Sequence, residues 1–235
     1  MPTVRLVSYN IRSMRDDRAA LVRVVRRLRP DILCVQEAPR FQLWRYRRRW
    51  LARRAALVPV ALRRGRVAGL QLYAGARATA LHGRHRLLSP VPDMHQRGLA
   101  LALFEVGGVR LVAASVHLDL AAEPRRRHAA EIIEELDRVR AETGAPVVVA
   151  GDVNEESGGA AWDLLAERFQ DAGATAPYGL RETFSAANPT RRIDGVFADH
   201  GIEVLRCGVP DDPELLTDYP AATDHRPVLA ELRVG

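Results

Sequence analysis

The chain has 235 residues, 47% hydrophobic and 27% charged, the make-up of a globular domain, and no apolar run approaches the roughly 20 residues of a bilayer span. Its 35 basic residues, all arginine, outnumber 29 acidic ones for a net charge of +6. The lack of lysine and the abundance of alanine mark a compositional bias, so charge alone does not argue for a nucleic-acid partner.

Cys34 and Cys207 are too few for a disulfide framework and sit among apolar neighbours, which reads as two buried thiols. The start "MPTVRLVSYN" lacks the basic, apolar and cleavage regions of a secretory signal, so a cytoplasmic location is expected. A single domain over 1–235 and a monomer without a transmembrane span complete that expectation.

In chain order, a strand over "VRLVSYNI" precedes a helix at Asp16 to Leu28, and a strand over "DILCVQE" precedes a helix at Arg40 to Arg53. Strand-like runs follow at "ALVPVAL", "AGLQLYA", "GLALALFEV" and "VRLVAASVHL", then a helix at Pro124 to Arg140 with proline in its first turn. "APVVVAGD", a helix at Gly159 to Glu167, "RIDGVFA", "GIEVLRCGV" and "HRPVLAELRV" end the chain. Strands such as "PVVVAG" are apolar on both faces and must be covered on both sides, which predicts layers of sheet and helix.

The polar residues carry more information than the strands. Asn10, Glu37, His117 and the pair Asp152 and Asn154 each follow an apolar strand at its C-terminal end. Asp194 and the pair Asp224 and His225 instead precede theirs. If all share one place, the last two strands run antiparallel to the first four. Carboxylates at Glu37, Asp152, Asp194 and Asp224 with amides at Asn10 and Asn154 form an oxygen-rich set, which suits Mg²⁺, with Mn²⁺ as the alternative, better than zinc. Singly, an Asp after a strand is most often a turn or cap residue.

The succession "SYNIR", "DILCVQE", "SVHLD", "AGDVN", "RIDGVF" and "TDHRPV", spanning Val4 to Leu232, resembles the endonuclease/exonuclease/phosphatase superfamily of metal-dependent phosphoesterases. The resemblance implies a four-layer α/β/β/α sandwich of two packed mixed sheets, with the site at one end. It implies Glu37 as the main Mg²⁺ ligand, Asn10 beside it, and Asp224 on the metal side. Asp152 would orient and deprotonate the attacking water, and Asn154 would donate to a phosphate oxygen. His225, held by Asp194, would contact the phosphate, and His117 would stabilise it or protonate the leaving oxygen. Arg97, ahead of "GLALAL", is a further candidate for the phosphate.

The expected reaction is Mg²⁺-dependent hydrolysis of a phosphate ester of phosphodiesterase or nuclease type, with nucleic acid among the candidate substrates. A lipid head-group or small-molecule phosphoesterase is the alternative, and a noncatalytic nucleic-acid-binding module the rival from another class. That module would have lost Glu37, Asp152 or His225, and all are present. "SVHL" places His117 where the abasic-endonuclease branch usually carries tyrosine. The acidic run with Asp211, Asp212, Glu214 and Asp218 would oppose a polyanion unless it points away.

Other residues read as structural. The arginine clusters "RYRRRW" and "EPRRRH" are solvated helix faces, and Trp44 with Trp50 is a helix face packed on a sheet rather than a stacking platform. His82, His85, His95, His128 and His200 are solvated or loop residues. Arg192 is a surface residue, and Gly151 serves a turn after its strand. Alternation at a strand entrance places Asp224 and His225 on opposite sides.

Overall fold

A computed structural model describes residues 1–62 and 68–235. The elements in order are β1 (Thr3–Asn10), α1 (Arg18–Leu28), β2 (Ile32–Gln36), α2 (Trp44–Ala55), β3 (Val58–Pro59), β4 (Gln71–Ala74), β5 (Ala78–Leu87), β6 (Gly98–Val106) and β7 (Val109–His117). They continue with α3 (Ala122–Thr143), β8 (Val147–Asp152), α4 (Ala160–Arg168), β9 (Gln170–Asp171), α5 (Ala172–Thr175), β10 (Asp194–Ala198), β11 (Glu203–Gly208), α6 (Pro213–Ala222) and β12 (Val228–Arg233).

Two six-stranded mixed sheets, ordered β11-β12-β1-β2-β4-β3 and β5-β6-β7-β8-β10-β9, pack face to face. β1 runs parallel to β2 and β7 parallel to β8, while β12 and β10 run antiparallel to β1 and β8. That is the arrangement the polar residues require. Val4 and Leu6 of β1, Ile32 and Cys34 of β2, Leu111 and Ala113 of β7, and Val148 and Ala150 of β8 fill the space between the sheets. Their neighbours in sequence face outward, as a period of two demands. Val7, Tyr9, Leu33 and Val35 meet α1, α2 and α6, and Val112, Val147 and Val149 meet α3 and α4. The four-layer α/β/β/α sandwich follows from strands that are apolar on both faces.

Local chemistry explains the helix ends. Asp17 caps α1, its carboxylate accepting from the Ala19 and Ala20 amides at 2.7 and 3.2 Å, and Asp212 caps α6 just ahead of Pro213. Leu21, Val24, Val25 and Leu28 of α1 are buried on one stripe against the sheet. Truncating such a leucine to alanine costs ~2–5 kcal/mol.

Several expectations are corrected. β5 escapes the sequence reading because "ATALHGRHRL" carries arginine and histidine on an edge strand with one face in solvent. "ALVPVAL" yields only the short edge strand Val58–Pro59, where a missing amide is tolerated. The acidic C-terminal segment, to which the sequence reading assigns no element, is the helix α6. α2 begins at Trp44, leaving Arg40 and Phe41 in an irregular segment. Gly151 lies inside β8, where an added Cβ would meet the Val116 carbonyl oxygen at 2.0 Å, so close backbone approach and not a turn requires it. His128 is fully buried in α3, its Nε2 2.9 Å from the Ser89 carbonyl oxygen, and His85 is partly buried on β5, while His82 on the same strand is solvated as expected. Arg192 is largely buried, paired with Asp171 and stacked over Trp162 at 4.7 Å. Both cysteines are buried and free.

Candidate active site

The inner faces of the strands change character at one end of the sandwich. Along β1 the inward series is Val4, Leu6, Ser8, Asn10; along β7 it is Leu111, Ala113, Ser115, His117; along β8 it ends in Asp152. Gln36 closes the series on β2. Its Nε2 donates to Ser115 Oγ at 3.0 Å, Ser8 Oγ donates to its Oε1 at 3.4 Å, and Ser115 Oγ donates to the Val35 carbonyl at 3.2 Å. All three side chains are buried, and their bonds pin one sheet to the other beneath the site. A buried polar ladder of this kind has to be satisfied internally, which fixes the register of the layers. Ser8 and Ser115 stand two residues before Asn10 and His117, so the period of two in "SYN" and "SVH" carried the signal.

Above this ladder lies a cleft of about 330 Å³ lined by residues from both sheets, among them Glu37, Arg97, His117, Asp152, Asp224 and His225. The two sheets meet across it where Asn10 Nδ2 donates to Asp152 Oδ2 at 3.0 Å and to Glu37 Oε1 at 3.3 Å. The amide oxygen of Asn10 faces away and accepts from the Arg12 amide at 3.1 Å, so Asn10 presents hydrogen atoms to the two carboxylates. Around it, Glu37 and the run Arg12, Ser13 and Met14 hold positive φ angles of 47, 42, 56 and 56°. Left-handed backbone without glycine is costly and clusters where a site over-determines the chain.

Asp152 is the point of convergence. Its Oδ1 accepts from the Asn154 amide at 3.0 Å, and its Oδ2 lies 3.4 Å from His117 Nε2 and 3.6 Å from His225 Nε2. Asn154, itself at a φ of 57°, spends one amide hydrogen on the Leu118 carbonyl at 3.0 Å, leaving the other available.

The two histidines are driven in opposite directions. Burial pushes the His117 imidazole down to about 3, outweighing the pull of Asp152. Burial also acts to lower His225, but Asp194, with Asp152 and Asp224 behind it, overrides burial and holds the ring at about 10. His225 Nδ1 lies 2.9 Å from Asp194 Oδ2, and Asp194 is placed by Thr183, whose hydroxyl accepts from the Ile193 and Asp194 amides at 3.1 and 3.2 Å. Sequence reasoning missed Thr183, which lies in no motif.

Asp224 does not partner His225. Its carboxylate pairs with Arg12 at 3.3 Å and accepts from the Thr223 hydroxyl at 3.2 Å. The segment Thr223 to Pro227 precedes β12 as a bend and an isolated bridge to Phe184, not as strand. Strand alternation therefore does not govern it, and Asp224 and His225 both reach the cleft. Arg97 enters from the start of β6, largely buried, with Nε 3.8 Å from Asp119 Oδ2. Neither of those two atoms has a hydrogen-bond partner. His95, read as a solvated residue, and Phe41 also line the cleft.

The acidic residues of α6 turn away from this cleft. Asp218 pairs with Arg23 at 2.6 Å, and Asp212 and Glu214 pair with Arg27 at 2.8 and 3.0 Å, all across to α1.

The ligand atoms of Asp152, Asp194 and His225 lie within 4.8 Å of one another, a spacing that a metal ion can bridge. The Asp194 to His225 hydrogen bond, however, already engages one atom of each. Glu37 makes no ion pair with Arg or His among the described residues and lines the cleft, its Oε1 accepting from Asn10 Nδ2. An oxygen-rich set of this kind fits a hard divalent cation on the Glu37 side.

The sequence model of the "Endonuclease/Exonuclease/phosphatase family" matches residues 7–225. No curated protein matches the chain. Among solved structures, the endonuclease/exonuclease/phosphatase from Bacteroides vulgatus is 23% identical with a TM-score of 0.80, covering 100% of both chains. The mannosyl-6-phosphatase of Bacteroides thetaiotaomicron is 19% identical with a TM-score of 0.80 over 98% of this chain and 99% of its own. The catalytic domain of human Nocturnin with a bound sulfate anion is 16% identical with a TM-score of 0.72 over 100% of this chain and 95% of its own.

Proposed function

Because the chain belongs to the endonuclease/exonuclease/phosphatase family, whose members hydrolyse phosphate esters, we propose that it is a Mg²⁺-dependent phosphodiesterase or nuclease acting by in-line attack of water. The observation that carries this reading is the convergence of Asn10, His117 and His225 on one oxygen of Asp152, at 3.0, 3.4 and 3.6 Å.

The residues divide the work by charge. A phosphodiester repels nucleophiles, so positive charge and hydrogen-bond donors must meet its oxygens first. His225, protonated beside Asp194, presents Nε2–H to a phosphate oxygen, and Arg97 adds a guanidinium from the opposite wall. His117 is neutral and contributes a hydrogen bond from Nε2 to the phosphate or to the leaving oxygen. Asp152 orients the attacking water and takes its proton. The Asn154 amide fixes the carboxylate from one side, while the remaining Asn154 side-chain hydrogen is free for a phosphate oxygen. Glu37 would hold the cation, with Asp224 on the same side and Asn10 acting as a donor that orients the Glu37 carboxylate and not as a ligand, and the cation when bound would neutralise phosphate charge as a Lewis acid.

Hydrolysis of bis(p-nitrophenyl) phosphate, followed as Mg²⁺ is titrated after EDTA treatment, tests the reading. Turnover that disappears in EDTA and returns with Mg²⁺ is expected. Absence of hydrolysis for this ester, for plasmid DNA, for RNA and for a sugar phosphate overturns it.

A further inference from the structure

The cleft does not end at its rim, and we infer that it continues as a groove between α1 and α2 and on along the exposed face of α2, which binds a single-stranded nucleic acid running out of the active site. This inference rests on the phosphoesterase reading and names its substrate class.

Continuity is the first observation. Arg15 lines both the cleft and a neighbouring depression of about 780 Å³, whose walls are Arg18 and Arg23 of α1 and Trp50 and Arg54 of α2. Trp50 and Arg54 in turn line a second depression of about 660 Å³ with Arg45, Tyr46, Arg49 and Arg53. On its other side the cleft is walled by Arg40 and Phe41, which lead directly into α2.

Charge is the second. Arg45, Arg49 and Arg53 recur every four residues and so share one face of α2, each about 6 Å further along its axis. These three, with Arg47 and Arg54, meet no carboxylate within ion-pair distance among the described residues. Arg23, on the α1 wall, pairs with Asp218, and elsewhere Arg84, Arg86, Arg125 and Arg168 each pair with Asp or Glu. A bias toward arginine spreads arginine over the chain but does not remove its partners. Here the partners are missing from the sequence itself, which contains no Asp or Glu between Glu37 and Asp93. The two acids that do border the groove are engaged, Asp16 with Arg12 and Asp17 as the cap of α1.

The third is the interleaving of aromatic rings with these charges. Tyr46 is 64% exposed and Phe41 67% exposed, and Trp50, half-buried, lines both depressions. A line of uncompensated guanidinium groups suits a repeating phosphate chain, and exposed rings between them suit unpaired bases. An anionic bilayer would call for a broader aliphatic face, whereas Leu43 is the one aliphatic side chain among the four arginines and two rings that line the second depression.

The test uses the full chain with Mg²⁺ in an Asp152→Asn background that prevents turnover, and a fluorescent single-stranded oligonucleotide as probe. Replacing Arg45, Arg49 and Arg53 together by Gln is expected to weaken binding by at least about tenfold and to flatten the slope of log K against log salt by ~2. Tyr46→Ala is expected to weaken it by about fivefold. With Asp152 intact, the same triple replacement should leave hydrolysis of bis(p-nitrophenyl) phosphate unchanged, which shows that the variant folds. Wild-type oligonucleotide affinity in the triple variant overturns the groove while the phosphoesterase reading stands. Arginine-dependent binding without hydrolysis of any ester supports the groove and removes the phosphoesterase reading instead. Sedimentation with phosphatidylserine vesicles through these arginines, with no oligonucleotide binding, overturns the groove in favour of a membrane surface.

Discussion

His225 Nδ1 and Asp194 Oδ2 lie 2.9 Å apart, both buried, although Asp194 begins β10 and His225 precedes β12 in the other sheet. The pair therefore ties the two sheets together at the site and fixes which ring nitrogen faces the phosphate. Asp194→Asn is expected to lower kcat by about 10²- to 10⁴-fold, as is His225→Ala. Steady-state turnover of bis(p-nitrophenyl) phosphate measures it, and near-normal rates in either variant remove the pair from the proposed mechanism.

The same pair couples stability to pH. His225 titrates at about 10 in the folded protein against an ordinary 6.5, so folding favours the protonated ring. That stabilisation is complete below about pH 6.5, declines as pH rises, and is lost once pH passes about 10. Urea unfolding at pH 6 and pH 10 should show a loss in the wild type that is smaller in His225→Gln.

Asp152 accepts from or faces four groups, and no other side chain in the cleft has its oxygen so placed toward Asn10, His117 and His225 among the described residues. Asp152→Asn keeps the shape and removes the base. A fall in kcat of about 10²-fold or more with an unchanged melting temperature is expected.

His117 sits at about 3 because it is buried, so in the free protein it is neutral across pH 5 to 9. His117→Gln, which keeps a neutral donor, should retain more activity than His117→Ala. The pH profile of kcat/KM should show no inflection that disappears with His117→Gln.

Arg97 reaches the cleft beside Asp119, 3.8 Å away and fully buried. Asp119→Asn removes the charge that steadies the guanidinium while leaving an oxygen for the Ala121 amide, which Asp119 Oδ1 accepts at 3.1 Å. The expected result is a rise in KM of several-fold with a smaller change in kcat, since a phosphate-positioning group acts first in binding. Rescue by Asp119→Glu would separate positioning from simple damage to the fold.

Much of this site was legible along the chain. Asn10, Glu37, His117 and Asp152 each end an apolar run, and a strand buried on both faces can present a polar group safely only at its end. The direction of the two late strands followed from the position of Asp194 and His225 ahead of theirs. β5 was illegible because an edge strand half in solvent tolerates arginine and histidine, here His82, Arg84, His85 and Arg86. α6 was illegible as a helix because its first turn reads as an acidic proline-rich loop, and only its packing against α1 reveals that Asp212, Glu214 and Asp218 answer Arg23 and Arg27.

The sequence by itself determined the layers and the identity of the polar groups, because periodicity and strand-end position are local properties of a chain. Tertiary structure decided which groups are partners. Asp224 is adjacent to His225 and pairs with Arg12, while Asp194, distant in the chain, holds the imidazole. It also decided that the two histidines differ. Both are buried, but His225 lies beside Asp194 with Asp152 and Asp224 near, whereas His117 has Asp152 opposed by three cationic neighbours, Arg97, His225 and Arg40. Charge states of buried groups depend on distances set by the packing of two sheets, and no spacing along a chain encodes those.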